Sequence, residues 1–370
     1  MSNVLKAVIM LMLFVPITSV LTKFIEGRAF CFLLFIKVLF ICSILSARPA
    51  MIQTHTAQVI IIDDFHPVFL DQLSAAGITY HYQPDFKKED APAALLHYPI
   101  VAVRSKIEFS ADLIDQLPNL KCIARGGAGM DNIDENYALS KNITLLNAPE
   151  GNRDAVAEHC IGLLLGLSKK ILKSHQEVSN FVWNREDNRG WEIKGKTIGI
   201  IGFGNTGSSL AKKLSGFDCQ VITYDKYLSS VDEKWANQVS LEELLNQSDV
   251  ISFHVPLTAE TKGMINENLI AKMKQGVVLL NTSRGKVANN RAIWEGIKGG
   301  KISSYACDVL ENENFNQLSV EEKDLISEMT SGNQVIITPH VAGWSRESYY
   351  KIGAVLSEKI VGFTIKAKII

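Results

Sequence analysis

The chain has 370 residues, 47% hydrophobic and 21% charged, which indicates a globular protein of about two domains and excludes a disordered or fibrous chain. Its formal net charge of −1 excludes a general attraction to nucleic acid or anionic membranes, so an anionic ligand must be bound locally. The six cysteines include no C-x-x-C pair, so we expect no metal site, no disulfide framework, and reduced thiols in a cytoplasmic protein.

Residues 1–50 differ from the rest, because two almost wholly apolar runs, 7–21 and 29–47, lie on either side of TKFIEGR. Each run is near the lower limit of about 17–20 residues for a membrane-spanning helix, which leaves two interpretations. One is a membrane hairpin or an uncleaved signal-anchor, which Pro16 and Lys37 weaken. The other, which we favour, is a misassigned start upstream of a functional chain that begins near Met51. Only the first interpretation predicts contact with a membrane.

From Val59 onward, short β-branched runs alternate with longer segments of helical spacing, such as 158–172, 208–214 and 241–246. Each short run has the length and continuous apolarity of a strand that is buried on both faces. The runs are VIIIDDF, IVAVRS, KCIARG, ITLLNA, TIGIIGFG, CQVITYD, DVISFHV, GVVLLNTS and VIITPH. This alternation predicts the α/β class, with helices on both faces of doubly wound parallel sheets.

The strand–helix pattern occurs twice, and EGNRDAVAEHCIGLLLGLSKKI is typical of a long helix that joins the two copies. We therefore predict two domains. The first consists of residues 51–152 and 342–370, and its closing helix, from Glu347 onward, packs back on it. The second consists of residues 153–341.

The second domain opens with TIGIIGFGNTG, a predicted strand that leads through G-x-G-x-x-G spacing into a helix predicted from Ser208. Glycines at this spacing allow a tight turn and a close approach of the backbone to a pyrophosphate, which the helix N-terminus attracts. The predicted pyrophosphate loop consists of Gly202, Gly204, Asn205, Thr206 and Gly207.

The next predicted strand, CQVITYD, ends in Asp225, close to the usual spacing of about 20 residues for a ribose-binding carboxylate. A carboxylate at this position accepts hydrogen bonds from both ribose hydroxyls and repels a 2′-phosphate. The sequence therefore predicts NAD, rather than NADP, as the cofactor.

Further polar residues follow predicted buried strands: Arg284 in NTSRG, Asp308 and Glu313 in CDVLENEN, and His340 in TPHVAG. The carboxyl ends of parallel strands meet at one edge of a sheet, so these side chains are expected to lie together. Histidine suits the removal of a hydroxyl proton near neutral pH, and an adjacent carboxylate raises its pKa. The planar guanidinium of arginine can bind a carboxylate and a neighbouring oxygen together. The set therefore predicts an acid–base site beside the nicotinamide cofactor that can also bind an anion.

The order of G-x-G-x-x-G, HVPLT, NTSRG, CDVLENE and TPHVAG, with VRSK and GGAGMDNID before it, resembles the D-isomer-specific 2-hydroxyacid dehydrogenases over about residues 57–350. Among them, the chain most resembles short D-3-phosphoglycerate dehydrogenases. The resemblance implies a flavodoxin-like substrate domain beside an NAD-binding Rossmann domain, and a homodimer formed mainly through the cofactor domains. It places the catalytic roles on Arg284, Glu313 and His340.

The resemblance also implies the binding residues. Ser283 and Asp308 would lie on the nicotinamide side, and His254, Val255 and Pro256 would line the adenosine site. The substrate would meet Arg104, Ser105, Ala128 and Gly129. Two departures are ANNRAI after RGKV and the absence of the usual proline after Glu313, and neither changes a catalytic position.

Arg104, Lys106 and Arg125 predict a basic rim on the first domain, which suits a phosphorylated acid such as 3-phosphoglycerate and a place in serine biosynthesis. Glyoxylate, hydroxypyruvate or D-lactate needs fewer cations, and each remains an alternative substrate. Relatives of this fold also act as NAD(H)-sensing corepressors that bind protein partners. That alternative predicts NADH binding with negligible turnover.

Overall fold

The computed structural model describes residues 57–231 and 234–367. Both interpretations of residues 1–50 therefore concern a segment outside the described residues. Within the described ranges, no helix is both long enough and apolar enough to cross a bilayer.

The first sheet contains five parallel strands in the order β2-β1-β3-β4-β5. The strands are β1 (Val59–Ile61), β2 (Tyr80–Tyr82), β3 (Ile100–Val103), β4 (Cys122–Arg125) and β5 (Thr144–Asn147). The helices between them are α1 (Pro67–Ala75), α2 (Ala91–Leu95), α3 (Ala111–Asp115) and α4 (Glu135–Ser140). Every residue of β1 and β3 is buried, as expected for strands that helices cover on both faces. The strand order is that of flavodoxin-like folds.

The second sheet contains seven parallel strands in the order β12-β11-β10-β9-β6-β7-β8. The strands are β6 (Thr197–Ile201), β7 (Gln220–Tyr224), β8 (Asn237–Gln238), β9 (Val250–Phe253), β10 (Val277–Asn281), β11 (Ile302–Cys307) and β12 (Val335–Ile337). The order reverses between β6 and β9, which is the switch point at which Rossmann folds bind dinucleotides. The predicted class, with two doubly wound parallel sheets, is confirmed.

Helices cover the second sheet and connect it to the first. They are α5 (Pro149–Ser168), α6 (Ile171–Ser179), α7 (Asn205–Leu214), α8 (Leu241–Gln247), α9 (Glu267–Ala271), α10 (Asn290–Lys298), α11 (Val320–Ser331) and α12 (Arg346–Lys366). The chain leaves the first sheet through α5 and returns from β12 to α12, which packs on α1 and α5. Lys359 of α12 fixes this packing, because its Nζ lies 2.9 Å from the Glu150 carboxylate and 2.8 Å from the Asn147 carbonyl oxygen. The predicted packing of the closing helix is thus confirmed.

Three details differ from the sequence predictions. The predicted joining helix is present as α5 but ends at Ser168 rather than Ile171, because Lys170 takes a left-handed backbone conformation with φ of 52° between α5 and α6. Helix α7 begins at Asn205 rather than Ser208, because its first turn lies within the glycine motif and carries no apolar residue to reveal it. Strands β2 and β8 escaped prediction because their short sequences, YHY and NQ, contain no β-branched apolar run.

Candidate active site

A cleft of about 930 Å³ is lined by residues from both sheets, at the carboxyl ends of their strands. Most of the residues singled out from the sequence meet there. They are Arg104, Ser105, Ala128, Gly129, Gly204, Asn205, Thr206, His254, Val255, Pro256, Ser283, Arg284, Asp308 and His340. Of the others, Glu313 lies behind His340 and lines an adjoining pocket, while Gly202 and Gly207 shape the turn between β6 and α7.

His340 and Glu313 form a hydrogen-bonded pair just beyond β12. The Nδ1 atom of His340 lies 2.8 Å from Oε2 of Glu313. An ionised carboxylate only accepts hydrogen bonds, so Nδ1 carries the proton and Nε2 is left to exchange a proton with a substrate. The hydrogen bond to Glu313 raises the pKa of His340, against the opposing effect of burial. Burial disfavours the charged form of Glu313, but the hydrogen bond and charge of His340 hold the pKa of that carboxyl below its ordinary value.

The loop that carries His340 is anchored to the buried carboxylate of Asp308. That carboxylate accepts hydrogen bonds from the backbone N–H groups of Val341 and Ala342 at 2.9 and 2.7 Å, and from the Thr338 hydroxyl at 2.5 Å. The His340 N–H donates to the Asp308 carbonyl oxygen at 2.8 Å. These contacts hold His340 in a left-handed conformation, with φ of 56°. The strand therefore ends where the imidazole enters the cleft.

Arg284 extends from a turn that the buried side chain of Asn281 holds at the end of β10. The Asn281 amide oxygen accepts from the Ser283 N–H at 3.1 Å, and the amide nitrogen donates to the Arg284 carbonyl oxygen at 3.1 Å. The Arg284 guanidinium donates from Nη1 to the Ser283 carbonyl oxygen, and from Nε to Asp131 across the cleft, each at 2.7 Å. These two hydrogen bonds fix the plane of the Arg284 guanidinium.

The loop after β4 brings a second arginine and two backbone N–H groups to the same place. Burial and the charge of Arg284 lower the pKa of Arg125 to about 10. The Arg125 Nε atom is buried without a hydrogen-bond partner among the described residues. Among the described residues, the backbone N–H groups of Ala128 and Gly129 also have no hydrogen-bond partner. These donors suit an anion bound in the cleft.

The basic rim predicted from the sequence is only partly present. Arg104 lines the cleft, and its guanidinium carbon lies 5.1 Å from the ring centre of Trp344 and 5.6 Å from that of Tyr349. The Nζ atom of Lys106 bonds instead to the Pro84 carbonyl oxygen, and Lys106 does not line the cleft. That part of the prediction is wrong, because a lysine beside a strand end can reach a nearby backbone carbonyl.

The turn between β6 and α7 has the space that a dinucleotide requires. Gly202 has φ of +91°, and a Cβ there would lie 2.4 Å from the His254 carbonyl oxygen. A Cβ at Gly207 would lie 2.2 Å from the Gly202 carbonyl oxygen. At Gly204 a Cβ would meet no described atom within 4 Å, which leaves room above the start of α7 for a pyrophosphate. The residues present therefore fit the predicted cofactor.

Asp225 directly follows β7 and lies beside this turn. Its Oδ2 accepts from the Phe203 N–H at 2.8 Å, and its Oδ1 accepts from the Tyr227 N–H at 2.9 Å. Both contacts hold the carboxylate between the glycine turn and the segment that follows β7. Burial lowers the pKa of His254 to about 4, so that imidazole is neutral and adds no charge to the cleft that it lines.

Three residues of the site were missed by sequence reasoning. Asp131 contacts Arg284, although its only sequence signal was its place in GGAGMDNID. Asn152, on the first turn of α5, lines the cleft with a buried side-chain oxygen that has no partner among the described residues. His159 lies 2.9 Å from the Thr338 hydroxyl and so connects α5 to the His340 loop. A polar residue within an apolar helix was the only available signal for His159.

Residues 161–342 match the family described as D-isomer specific 2-hydroxyacid dehydrogenase, NAD binding domain. A hydroxypyruvate reductase of Thermotoga maritima is 35% identical over 274 residues, which are 74% of this chain and 87% of that protein. The chain belongs to the D-isomer-specific 2-hydroxyacid dehydrogenases. A D-3-phosphoglycerate dehydrogenase of Archaeoglobus fulgidus is 33% identical over 306 residues, which are 82% of this chain and 56% of that relative. The chain thus spans a little over half the length of that relative.

A solved structure of the D-lactate dehydrogenase from Aquifex aeolicus, complexed with NAD and lactic acid, has a similar fold. It has a TM-score of 0.73 and 29% sequence identity, and the match covers 83% of this chain and 95% of that chain. In this member of the family, therefore, the second sheet carries the NAD-binding domain. The prediction of NAD as the cofactor is confirmed.

Proposed function

We propose that this chain is an NAD-dependent dehydrogenase that transfers hydride between a D-2-hydroxy acid and NAD. The observation that carries the proposal is the convergence of Arg284 and the His340–Glu313 pair on one cleft beside the glycine turn. This reaction requires an acid–base group, a dinucleotide site and a group that binds the substrate carboxylate, here the planar fork of N–H groups on the Arg284 guanidinium. Membership of the family supports the same reaction.

In the direction of reduction, the 2-keto acid binds with its carboxylate against the N–H groups of Ala128 and Gly129 and the fork of Arg284. Arg284 also polarises the C2 carbonyl. NAD, when bound, supplies the hydride chemistry at its nicotinamide ring. As negative charge develops on the C2 oxygen, His340 gives it the Nε2 proton, and Glu313 stabilises the imidazolium until that transfer. Oxidation of the hydroxy acid returns the same proton to His340.

For the substrate we propose the pair 3-phosphoglycerate and 3-phosphohydroxypyruvate, which places the chain in serine biosynthesis. Arg104, just after β3, and Arg125, at the end of β4, line the cleft from the first sheet, and we place the phosphate beside them. Arginine suits this role because its planar fork matches phosphate oxygens. The relative from Archaeoglobus fulgidus, a D-3-phosphoglycerate dehydrogenase, supports the proposal.

A smaller, unphosphorylated acid is the second candidate, and hydroxypyruvate is favoured among these. Trp344 and Tyr349 both stack on Arg104, so this cation already has partners in the cleft. The relative from Thermotoga maritima is named a hydroxypyruvate reductase, and this chain covers 87% of it. Glyoxylate and D-lactate belong to the same class of small acids.

The test is NADH consumption by the purified full-length chain with 3-phosphohydroxypyruvate, hydroxypyruvate, glyoxylate and pyruvate, with NADPH as the cofactor control. If Arg104 binds phosphate, Arg104→Met will remove the preference for the phosphorylated acid. Lys106→Met is the matched control, because the Lys106 amine is turned toward Pro84 and should leave that preference unchanged.

Each outcome decides between the candidates. A preference for 3-phosphohydroxypyruvate that is lost in Arg104→Met supports the role in serine biosynthesis. A preference for an unphosphorylated acid supports the same mechanism but excludes the role in serine biosynthesis. Binding of NADH without turnover of any acid overturns the enzymatic proposal and supports an NAD(H)-sensing corepressor that binds protein partners.

We also propose that the chain forms a homodimer through the region around α6. Phe181 and Trp183, just after this helix, are 99% and 80% exposed, and Ile171, Leu172 and Val178 on the helix are more than half exposed. Neighbouring apolar side chains with this exposure are typical of surfaces that another protein covers. A second copy of the chain is the occupant we propose.

The cytoplasm is the proposed location. Support comes from Cys122, Cys160, Cys219 and Cys307, which are all free thiols, as expected in a reducing compartment. Fractionation of cells that express the full-length chain tests this, because an anchor in residues 1–50 would carry the protein into the membrane pellet.

A further inference from the structure

The guanidinium of Arg284 is held by a residue from the other side of the cleft. Its Nε lies 2.7 Å from Oδ2 of Asp131, and the two residues are 153 positions apart in the sequence. Asp131 follows β4 of the first sheet, whereas Arg284 follows β10 of the second. Their side chains are 45% and 25% exposed, so water does not fully screen the contact.

The contact decides which hydrogen-bond donors of Arg284 remain for a ligand. A guanidinium has five N–H groups. Asp131 takes the one on Nε, and the Ser283 carbonyl oxygen takes one on Nη1. Nη2 lies directly beside Gly129, because a Cβ built on that glycine would be only 1.5 Å from it. The two free donors on Nη2 therefore lie beside Gly129.

Affinity for an anion cannot be the reason for a carboxylate at this position. Asp131 places a negative charge in a cleft where a 2-keto acid carboxylate would bind, and like charges at this range repel. It does lie near two cations, because its charge favours the charged form of Arg125, against the effects of burial and of Arg284. What the Nε contact adds is a fixed orientation, since Nε and Nη1 are held from two directions while the rest of the fork stays free.

We propose that Asp131 is a positioning residue that sets the plane of the Arg284 guanidinium, so that its remaining N–H groups converge with those of Ala128 and Gly129 on the substrate carboxylate and C2 oxygen. The proposal rests on the proposed dehydrogenase function. Because the two residues belong to different sheets, the fork is complete only when both sides of the cleft are in place.

The first experiment measures steady-state kinetics of the full-length chain with its best keto acid and NADH. We expect Asp131→Ala to lower kcat/KM by about 10- to 100-fold, the range for losing a hydrogen bond between charged groups that also orients a reacting fork. Asp131→Asn keeps an acceptor oxygen and should recover most of that loss.

Asp134→Ala is the matched control. Asp134 caps α4 in the same loop through the Tyr137 N–H at 3.0 Å, so its loss should lower the melting temperature and leave kcat/KM within about threefold.

A double-mutant cycle separates positioning from a general structural effect. Lysine at 284 has no Nε N–H in a rigid fork, so Asp131→Ala in the Arg284→Lys background should change kcat/KM by less than about threefold. If the two losses instead multiply, or if Asp131→Ala alone costs less than about threefold, the proposal is wrong.

Binding of oxamate to the NADH-loaded chain, followed by calorimetry, gives a readout that does not need turnover. Oxamate presents a carboxylate and an adjacent carbonyl oxygen but accepts no hydride. Weaker oxamate binding in Asp131→Ala, coupled to Arg284→Lys in the same way, supports the positioning role even if no keto acid is reduced and the proposed function fails. Oxamate binding that is absent, or unaffected by Asp131→Ala, overturns the role whatever the turnover.

Discussion

His340 combines two features that are unusual in a histidine beside a strand end. Its backbone lies in the left-handed region, and its imidazole is paired with a carboxylate in a half-exposed position. The first is maintained by the contacts of Asp308, and the second keeps the proton on Nδ1 and raises the pKa. Both features suit the proton-donor role that we propose for His340.

The pH dependence of reduction should depend on Glu313. In the proposed mechanism, reduction needs the imidazolium of His340, which is present below its pKa and lost as pH rises through it. Glu313→Gln removes the charge that raises this pKa. We therefore expect the falling limb of the pH profile of kcat for reduction to move to lower pH.

Glu311→Gln is the control for this change. It removes a charge from the same loop, but Glu311 bonds to the Asn290 N–H and not to His340. Its pH profile should match that of the unaltered chain. An unchanged profile in Glu313→Gln would mean that another group controls the pKa of His340.

Removal of the imidazole tests its role as the proton donor. We expect His340→Ala to lower kcat by about 10²–10⁴-fold, the range for a lost general acid–base. NADH affinity, measured by fluorescence titration, should change little, because the imidazole does not belong to the glycine turn. A loss of kcat below threefold in a folded variant would remove His340 from this role.

The glycines in the turn between β6 and α7 have different physical roles. Gly202 and Gly207 are required by the protein itself, because a side chain at either would collide with backbone atoms. Gly204 is different, since a Cβ there would meet nothing in the described chain and its φ of −77° suits any residue. The spacing of the motif therefore reflects both folding and ligand binding.

This difference predicts opposite effects of two similar substitutions. Gly204→Ala should leave the melting temperature unchanged but weaken NADH binding by about tenfold or more, because its methyl group takes space reserved for the pyrophosphate. Gly207→Ala should lower the melting temperature, because its Cβ would lie 2.2 Å from the Gly202 carbonyl oxygen. Thermal melts and fluorescence titrations of both variants check this. Equal effects on both properties would contradict the separation.

Over the whole molecule, patterns that are local in sequence were predictable and contacts between distant segments were not. The buried strands appear as continuous apolar runs because helices cover both faces, and Arg284 and His340 follow such runs directly. Nothing in GGAGMDNID indicates that Asp131 contacts Arg284, since the pair forms only when two sheets fold against each other. The orientation of Lys106 was equally unpredictable, because a flexible amine takes the nearest acceptor.

The proposed dimer gives a prediction for the molecule as an assembly. Phe181→Asp places a charge at a 99% exposed apolar position, which a second copy would have to bury. We expect sedimentation velocity to show a dimer for the unaltered chain and a monomer for this variant. Glu186→Lys, a charge change at an exposed residue that forms an ion pair with Arg189, is the control and should leave the dimer intact. A dimer that survives Phe181→Asp would place the interface elsewhere.

The packing of α12 on α1 has a consequence for synthesis of the protein on the ribosome. Phe69 and Leu73 of α1 emerge early, but Ile352, Leu356 and Ile360, which cover them, emerge about 200 residues after β5 ends, or roughly 10 to 40 s later at about 5–20 residues per second. The second sheet can form in that interval, while the first sheet still exposes an apolar face. A nascent chain stalled before α12 should therefore be the form that chaperones bind and that aggregates most readily.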